Sequence, residues 1–261
     1  MIAGPPSPDF PEAVAEGDGA ARLPPIVVAL AGGDTIRPVW LNELGGLTCE
    51  LDGPSGRRFV KWAPPGVWID LPVEAERLRW AARFTPVPRV LDQGADDTGT
   101  WLLTAAVPGE SAVSPRWTAD PATAVAALGR GLRALHDALP VEECPFSWSV
   151  ADRVAASVAA KPHQRDVALA LLDHPPIDRL VVCHGDACAP NTLLADDGTW
   201  SAHVDLGDLG VADRWADLAV ATWSTEWNYG PGWEPALLAA YGVDDDPART
   251  DYYRRLWDAG P

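Results

Sequence analysis

Lysine is almost missing from this chain. Its 261 residues include eighteen arginines but only two lysines, Lys61 and Lys161. A positive surplus is missing too. The formal net charge of -17 argues against a nucleic-acid binder, whose affinity rests on basic patches. It suits a cationic ligand, and equally a merely acidic surface. No apolar run approaches the ~18 residues that a membrane-spanning helix needs, and the N-terminus lacks the basic and apolar regions of a signal peptide. The four cysteines fit free thiols in a reducing cytoplasm better than a disulfide framework. Cys183, His184 and Cys188 lie close together, but without the paired C-x-x-C spacing of a zinc site. What is plentiful is apolar content, 47%, enough to bury a sizeable core in one or two lobes.

The most informative stretch runs from Val181 to Asp205. Leu180-Val181-Val182 reads as the end of a short buried strand. His184-Gly185-Asp186 turns, and Asn191 follows five residues after Asp186. Leu193-Leu194 and Trp200 to Val204 form strands around the hairpin turn Asp196-Asp197-Gly198, and the second delivers Asp205-Leu206-Gly207. Two carboxylates and one amide are thus held on loops beside a hairpin. Phosphoryl transfer has this requirement, since its catalysis is positioning and charge neutralisation rather than covalent work. Mg2+ takes hard oxygen ligands and keeps several waters, so one carboxylate, one amide oxygen and the phosphates suffice.

Upstream, Ile26 to Leu30 and Val39 to Leu41 suit short strands. Asn42 to Thr48 is a turn in which Gly45 and Gly46 would let backbone amides approach phosphates, with Thr48 as a hydroxyl donor. The G-x-G-x-x-G pattern is absent. Arg58 to Trp62 reads as a strand, and a chain that uses arginine almost everywhere has kept Lys61 on it. Val73 to Phe84 reads as a helix carrying Glu74 and Glu76, either of which can pair with a lysine. Asp120 to Leu139 is a helix with a leucine face and a structural His136. Ala151 to Ala160 and Gln164 to Leu172 are further helices. A helix over Asp213 to Ser224 precedes an aromatic loop from Glu226 to Trp233, and Ala236 to Tyr241 and Arg249 to Trp257 are the last helices.

His184 to Asn191 spells H-G-D-x-x-x-x-N, Asp205 to Gly207 spells D-x-G, and Gly210 to Ala219 spells G-x-A-D-R-x-x-D-L-A. In these motifs the chain resembles the aminoglycoside phosphotransferases, most closely the 3'- and 3''-enzymes, from about Trp40 to the C-terminus. The resemblance implies a protein-kinase-like, two-lobed α+β fold with a β-rich N-terminal lobe and a mostly helical C-terminal lobe. It implies a nucleotide-binding lobe over residues 24–107 and a catalytic and substrate lobe over 108–261; residues 1–23, rich in Pro, Gly, Ala and acidic residues without hydrophobic periodicity, read as a mostly disordered lead-in. ATP, with GTP not excluded, would place its phosphates on Lys61, paired with Glu74 because the family's Glu lies six residues before a helix Trp, here Trp80. Mg2+ would sit on Asn191 and Asp205, and Asp186 would accept the substrate hydroxyl proton. The adenine would be read by the carbonyl of Ala105 and the amide of Val107. Asp217 would support the catalytic-loop backbone, and His184 would stand behind the same loop.

The resemblance also exposes departures. The family usually carries Arg directly after D-x-G, where this chain has Asp208. The acidic loop that binds drug amines is short here, and the acidic tail keeps only Asp258. Asp208, Glu226 and Asp258 are therefore the candidate acceptor contacts. The implied activity is transfer of a γ-phosphate to a hydroxyl of a small, cationic molecule, with an aminoglycoside or aminocyclitol the first expectation. A kinase for a sugar or amino alcohol is the alternative, and a catalytically silent nucleotide-binding protein is a third reading. No membrane or nucleic-acid partner is expected, and the oligomeric state is left open.

Overall fold

In the computed structural model, residues 23–260 are described, so all but the last residue of the expected lead-in lies outside them. The described chain divides into two compact units. One comprises the residues up to Ala82 together with Pro88–Ala106, and the other comprises Arg83–Val87 and the chain from Val107 onward.

The first unit opens with α1 (Pro25–Ala31), where the apolar run suggested a strand. Pro25 at the first helical position and Gly32 in the left-handed conformation bracket one short helix. Val27 and Ala31, four residues apart, then share a face and bury against Cys49, Leu51, Val60 and Leu103. That cluster lies on a five-stranded antiparallel sheet of β1 (Thr35–Leu41), β2 (Leu47–Asp52) and β3 (Arg58–Ala63), with β4 (Val90–Asp96) and β5 (Gly99–Ala105). The order is β1-β2-β3-β5-β4. Between β3 and β4 lies α2 (Leu71–Ala81), started by Asp70, whose side chain accepts from the Val73 amide, and by Pro72 in its first turn. It ends before the Phe84 limit that its composition suggested.

In the second unit β6 (Glu110–Ser111) and α3 (Pro115–Thr118) lead into α4 (Pro121–Ala138). Asp120 caps α4, and Leu128, Leu132 and Leu135 are buried along it. Truncating one such leucine to alanine costs about 2–5 kcal/mol. After α5 (Val150–Ala160) and α6 (Arg165–Ala170) come β7 (Leu180–Cys183), β8 (Thr192–Leu194), β9 (Trp200–His203) and β10 (Gly210–Asp213). β7 pairs with β10, and β6, β8 and β9 form a second small sheet. Leu180, read as buried, is exposed at the entrance to β7, while Val181, Val182 and Cys183 are buried.

The chain closes with α7 (Trp215–Tyr229), α8 (Glu234–Tyr241) and α9 (Pro247–Asp258). Two expectations are corrected here. Asp213 belongs to β10, so α7 begins at Trp215, with the Asp213 carboxylate accepting its amide at 3.0 Å. At the other end α7 runs on through Glu226 to Tyr229 instead of yielding to a loop. No breaker occurs before Gly230-Pro231-Gly232, and Asn228 bonds back to the Ser224 carbonyl at 2.8 Å. Among the described residues no helix is long and apolar enough to cross a membrane.

Candidate active site

β7 enters its turn already registered against β10, with Cys183 opposite Gly210 and Leu180 opposite Asp213. The turn itself is held from α7. Asp217, fully buried, accepts from the His184 amide at 2.6 Å and the Gly185 amide at 2.9 Å. Its Oδ2 also meets His136 Nε2 at 2.9 Å. Burial alone would raise the Asp217 carboxyl, but the hydrogen bond and charge of His136 and the backbone donors hold it below its ordinary value. At the other side of the ring, His136 Nδ1 meets the Tyr241 hydroxyl at 2.9 Å. Gly185 has φ 86°, and a Cβ there would lie 2.2 Å from the Asp208 carbonyl oxygen. Only glycine fits.

The His184 ring braces the turn from below, with Nε2 donating to the Val204 carbonyl at 2.9 Å and Nδ1 accepting from the Asp186 amide at 3.3 Å. Asn191, at the end of a 3-10 turn over Ala189–Asn191, points its Nδ2 at Asp186. It donates to the carbonyl oxygen at 3.0 Å and to Oδ2 at 3.1 Å. The other carboxylate oxygen, Asp186 Oδ1, is buried with no hydrogen-bond partner. A buried acceptor of this kind is costly unless something arrives to bond it. Burial pushes the Asp186 carboxyl up from its ordinary value, the Cys188 thiol and His184 offset part of the rise, and the charges of Asp205 and Asp208 add to it.

Asp205, exposed, follows β9 and has φ 62°. Among the described residues it is the one non-glycine side chain in the left-handed region. Such a conformation is strained for a non-glycine residue and marks functional sites. The donor set fits Mg2+: Asn191 has committed its nitrogen to Asp186, so its amide oxygen is the ligand-capable atom, and Asp205 adds a carboxylate.

In the first unit Lys61 on β3 meets Glu74 on α2. Its Nζ donates to Oε1 at 2.7 Å and Oε2 at 3.0 Å, with Glu74 buried and Lys61 half-buried. The Glu76 alternative is exposed. Thr48 lies opposite Lys61 in the register. The turn at Gly45 and Gly46, where the sequence suggests amides that approach phosphates, has internal partners for those amides. Asn42 Oδ1 takes the Leu44 amide at 3.0 Å and the Gly46 amide at 2.7 Å, and its carbonyl takes that of Gly45 at 3.0 Å. The turn is closed on itself by its first residue. Ala105 ends β5, its amide donating to the Arg89 carbonyl at 2.9 Å, and Val107 opens the second unit.

Of the acceptor candidates, Asp208 is exposed and pairs with Arg153 of α5 at 3.6 Å. Glu226 is exposed on α7 and Asp258 is exposed at the end of α9. The cysteines do not form the zinc set. Both His184 nitrogens are engaged, and the buried Cys183 thiol donates to the Asp213 carbonyl at 3.4 Å. Burial drives the Cys183 thiol well above its ordinary value. His136, Cys183 and Asp217 do lie within 4.8 Å of one another, but both His136 nitrogens are occupied and Asp217 already takes two backbone amides.

Two contributors went unread in the sequence. Ser224 Oγ of α7 accepts the Ala189 amide at 2.8 Å and so fixes the middle of the Asp186–Asn191 loop. Tyr241 orients His136. Neither lies in a motif, and no spacing rule picks them out.

A Lys–Glu pair on a β-sheet unit, with an Asp, an Asn and a strained Asp on loops of a helical unit, defines a kinase-like phosphotransferase fold. The chain belongs to the phosphotransferase enzyme family, whose model matches residues 42–253. It is 39% identical to an aminoglycoside 3'-phosphotransferase of Streptomyces fradiae over 74% of this chain and 81% of that one. It is also similar to the crystal structure of a type VIII aminoglycoside-3'-phosphotransferase, with a TM-score of 0.74 at 32% identity over 89% of this chain and 97% of that one. The aminoglycoside phosphotransferase APH(3'')-Id of Streptomyces rimosus, solved in complex with ADP and streptomycin, matches with a TM-score of 0.68 at 28% identity. That match covers 89% of this chain and 95% of the other.

Proposed function

We propose that this protein transfers the γ-phosphate of ATP to a hydroxyl of an aminoglycoside or aminocyclitol. The observation that carries the chemistry is the Asp186 carboxylate. One of its oxygens is fixed by Asn191, and the other is buried with only the weak Cys188 thiol near the carboxyl, as a proton acceptor open to a hydroxyl. The names of the relatives supply the acceptor class.

Lys61, fixed by Glu74, takes phosphate oxygens of the nucleotide. Asn191 and Asp205 would hold Mg2+, which would supply charge neutralisation on the phosphates. Asp186 Oδ1 orients the acceptor hydroxyl and takes its proton as the hydroxyl oxygen bonds to the γ-phosphorus. The bond from that phosphorus to the bridging oxygen breaks, and ADP leaves with the electron pair. His184, Asp217, His136 and Ser224 hold the loop so that Asp186 does not turn away.

The test is incubation of purified protein with ATP, Mg2+ and a panel of aminoglycosides, sugars and amino alcohols, read by mass spectrometry. A phosphate-mass increase on an aminoglycoside supports the proposal. Phosphorylation confined to a sugar or amino alcohol refutes the acceptor class, and none at all refutes the activity. Repeating the assay with GTP decides the nucleotide.

A further inference from the structure

The peptide unit that joins Pro190 to Asn191 is anchored at both of its polar groups. The Asn191 amide donates to the Cys188 carbonyl at 3.0 Å, within the 3-10 turn over Ala189–Asn191. The Pro190 carbonyl accepts from Ser111 Oγ of β6 at 2.9 Å. Proline has no amide hydrogen, so that carbonyl is the one backbone hydrogen-bonding group Pro190 offers, and Ser111 takes it. The hydroxyl is itself aimed. Its oxygen accepts the Val113 amide at 3.4 Å, and its single hydrogen goes to Pro190.

β6 is held in turn. Ser111 pairs with Leu193 and Glu110 with Leu194 of β8, and the Ala112 amide donates to the Thr192 carbonyl at 2.9 Å. The Ala112 carbonyl accepts from the hydroxyl of Tyr229, the last residue of α7, at 2.8 Å. Burial pushes the Tyr229 hydroxyl up from its ordinary value, so it stays a donor. With Ser224 Oγ on the Ala189 amide at 2.8 Å, β6 and α7 grip the backbone on both sides of Asn191.

We infer that Ser111 is a positioning residue for the metal ligand Asn191, with Tyr229 acting one step behind it. A peptide unit is planar and stiff, so Ser111 and the Cys188 carbonyl fix this one at its oxygen and its nitrogen. The Cα of Asn191 lies in the same plane, and the side chain departs from there. Its nitrogen is bonded to Asp186, so the direction of its amide oxygen follows from that plane. Without Ser111 the plane keeps one anchor, and the amide oxygen gains freedom to swing. Mg2+ tolerates little departure from octahedral order, so losing the anchor weakens metal binding before it affects nucleotide binding. Ser111 has this role only if Asn191 and Asp205 hold the metal as proposed.

The test reads metal binding apart from turnover. Mn2+, which takes the same oxygen ligands, is titrated into the full chain with a non-hydrolysable ATP analogue. Water proton relaxation follows it and separates metal held on the protein from metal held on nucleotide alone. Ser111→Ala is expected to raise the Mn2+ dissociation constant about tenfold, with affinity for the metal-free analogue within about twofold. Ser111→Thr restores the hydroxyl and should return the constant to within about threefold of wild type. Tyr229→Phe keeps the ring and should raise it about threefold, which carries the test should Ser111→Ala not fold. A merely structural role would lower the urea melts of these variants and leave Mn2+ binding unmoved. If Asn191→Ala weakens Mn2+ binding while Ser111→Ala and Tyr229→Phe match wild type, the role of Ser111 is wrong and the metal assignment stands. If Asn191→Ala also matches wild type, or wild type holds no Mn2+, both are overturned.

Discussion

Asn191 turns its amide nitrogen onto Asp186, donating to the backbone carbonyl at 3.0 Å and to Oδ2 at 3.1 Å. One side chain thereby sets two things: the direction of the Asp186 carboxylate and the outward orientation of its own amide oxygen. Asn191→Ala removes both. It should lower kcat and raise the Mg2+ concentration for half-maximal activity by about tenfold or more, with metal-free nucleotide affinity unchanged. A magnesium titration of turnover checks this, and an unaltered magnesium requirement would contradict the ligand assignment.

Lys61 and Glu74 are bonded at 2.7 and 3.0 Å with Glu74 buried. Lys61→Ala should raise the nucleotide KM or lower turnover by about 10- to 100-fold. It also leaves a buried carboxylate without that ammonium, so a loss of about 1–3 kcal/mol in stability accompanies it. Denaturant melts and nucleotide-dependent rates of Lys61→Ala and of Lys61→Ala/Glu74→Gln separate the two effects. The double variant should recover stability and not activity.

Asp205 holds its left-handed conformation without the freedom of glycine. Asn adopts that conformation at least as readily, so Asp205→Asn should keep the melting temperature within about 3 °C. Its magnesium-dependent turnover should fall by about 100-fold or more. A stable protein with full activity would remove Asp205 from the metal site.

The sign of the pH dependence follows from Asp217. Its folded carboxyl titrates below the ordinary value because His136 and the loop amides outweigh its burial. A depressed carboxyl contributes stability that is present above the unfolded value and lost as pH falls through the folded one. Stability should therefore decline on acidification from about pH 4 downward. Asp217→Asn, which turns an NH2 group toward donors, should flatten that decline and cost about 2–4 kcal/mol at neutral pH. Urea melts between pH 3 and pH 7 test both statements. Equal acid sensitivity in the variant would show that other carboxylates govern it.

The central hairpin and α4 were legible because each carries local signals: the Asp196-Asp197-Gly198 turn between β8 and β9, and the leucine face that follows Asp120. The misread segments lacked such signals or were decided by tertiary contacts. Five apolar residues from Ile26 fit a strand or a helix equally well, and the fit of Val27 and Ala31 onto the sheet selects the helix. Glu226 to Tyr229 looked like a loop because aromatic residues crowd it, yet the first true breaker is Gly230. The glycines at 45 and 46 suggested a phosphate cradle, while Asn42, three residues upstream of Gly45, had a local use for the same amides. At the site the motif letters marked positions along the chain. They carried no trace of the left-handed turn at Asp205 or the grip of Ser224 on Ala189.

The central claim is that Asp186 takes the acceptor's proton, and Asp186→Asn tests it most directly. Asn is nearly the same size and still accepts a hydrogen bond, but it carries no charge and is a poor base. The measurement pairs nucleotide titration with the rate of product formation for wild type and variant, on the acceptor identified by the panel. The account predicts nearly normal binding of nucleotide and magnesium with a loss of turnover of about 100- to 10,000-fold. Unchanged binding with a loss of about tenfold or less would contradict it.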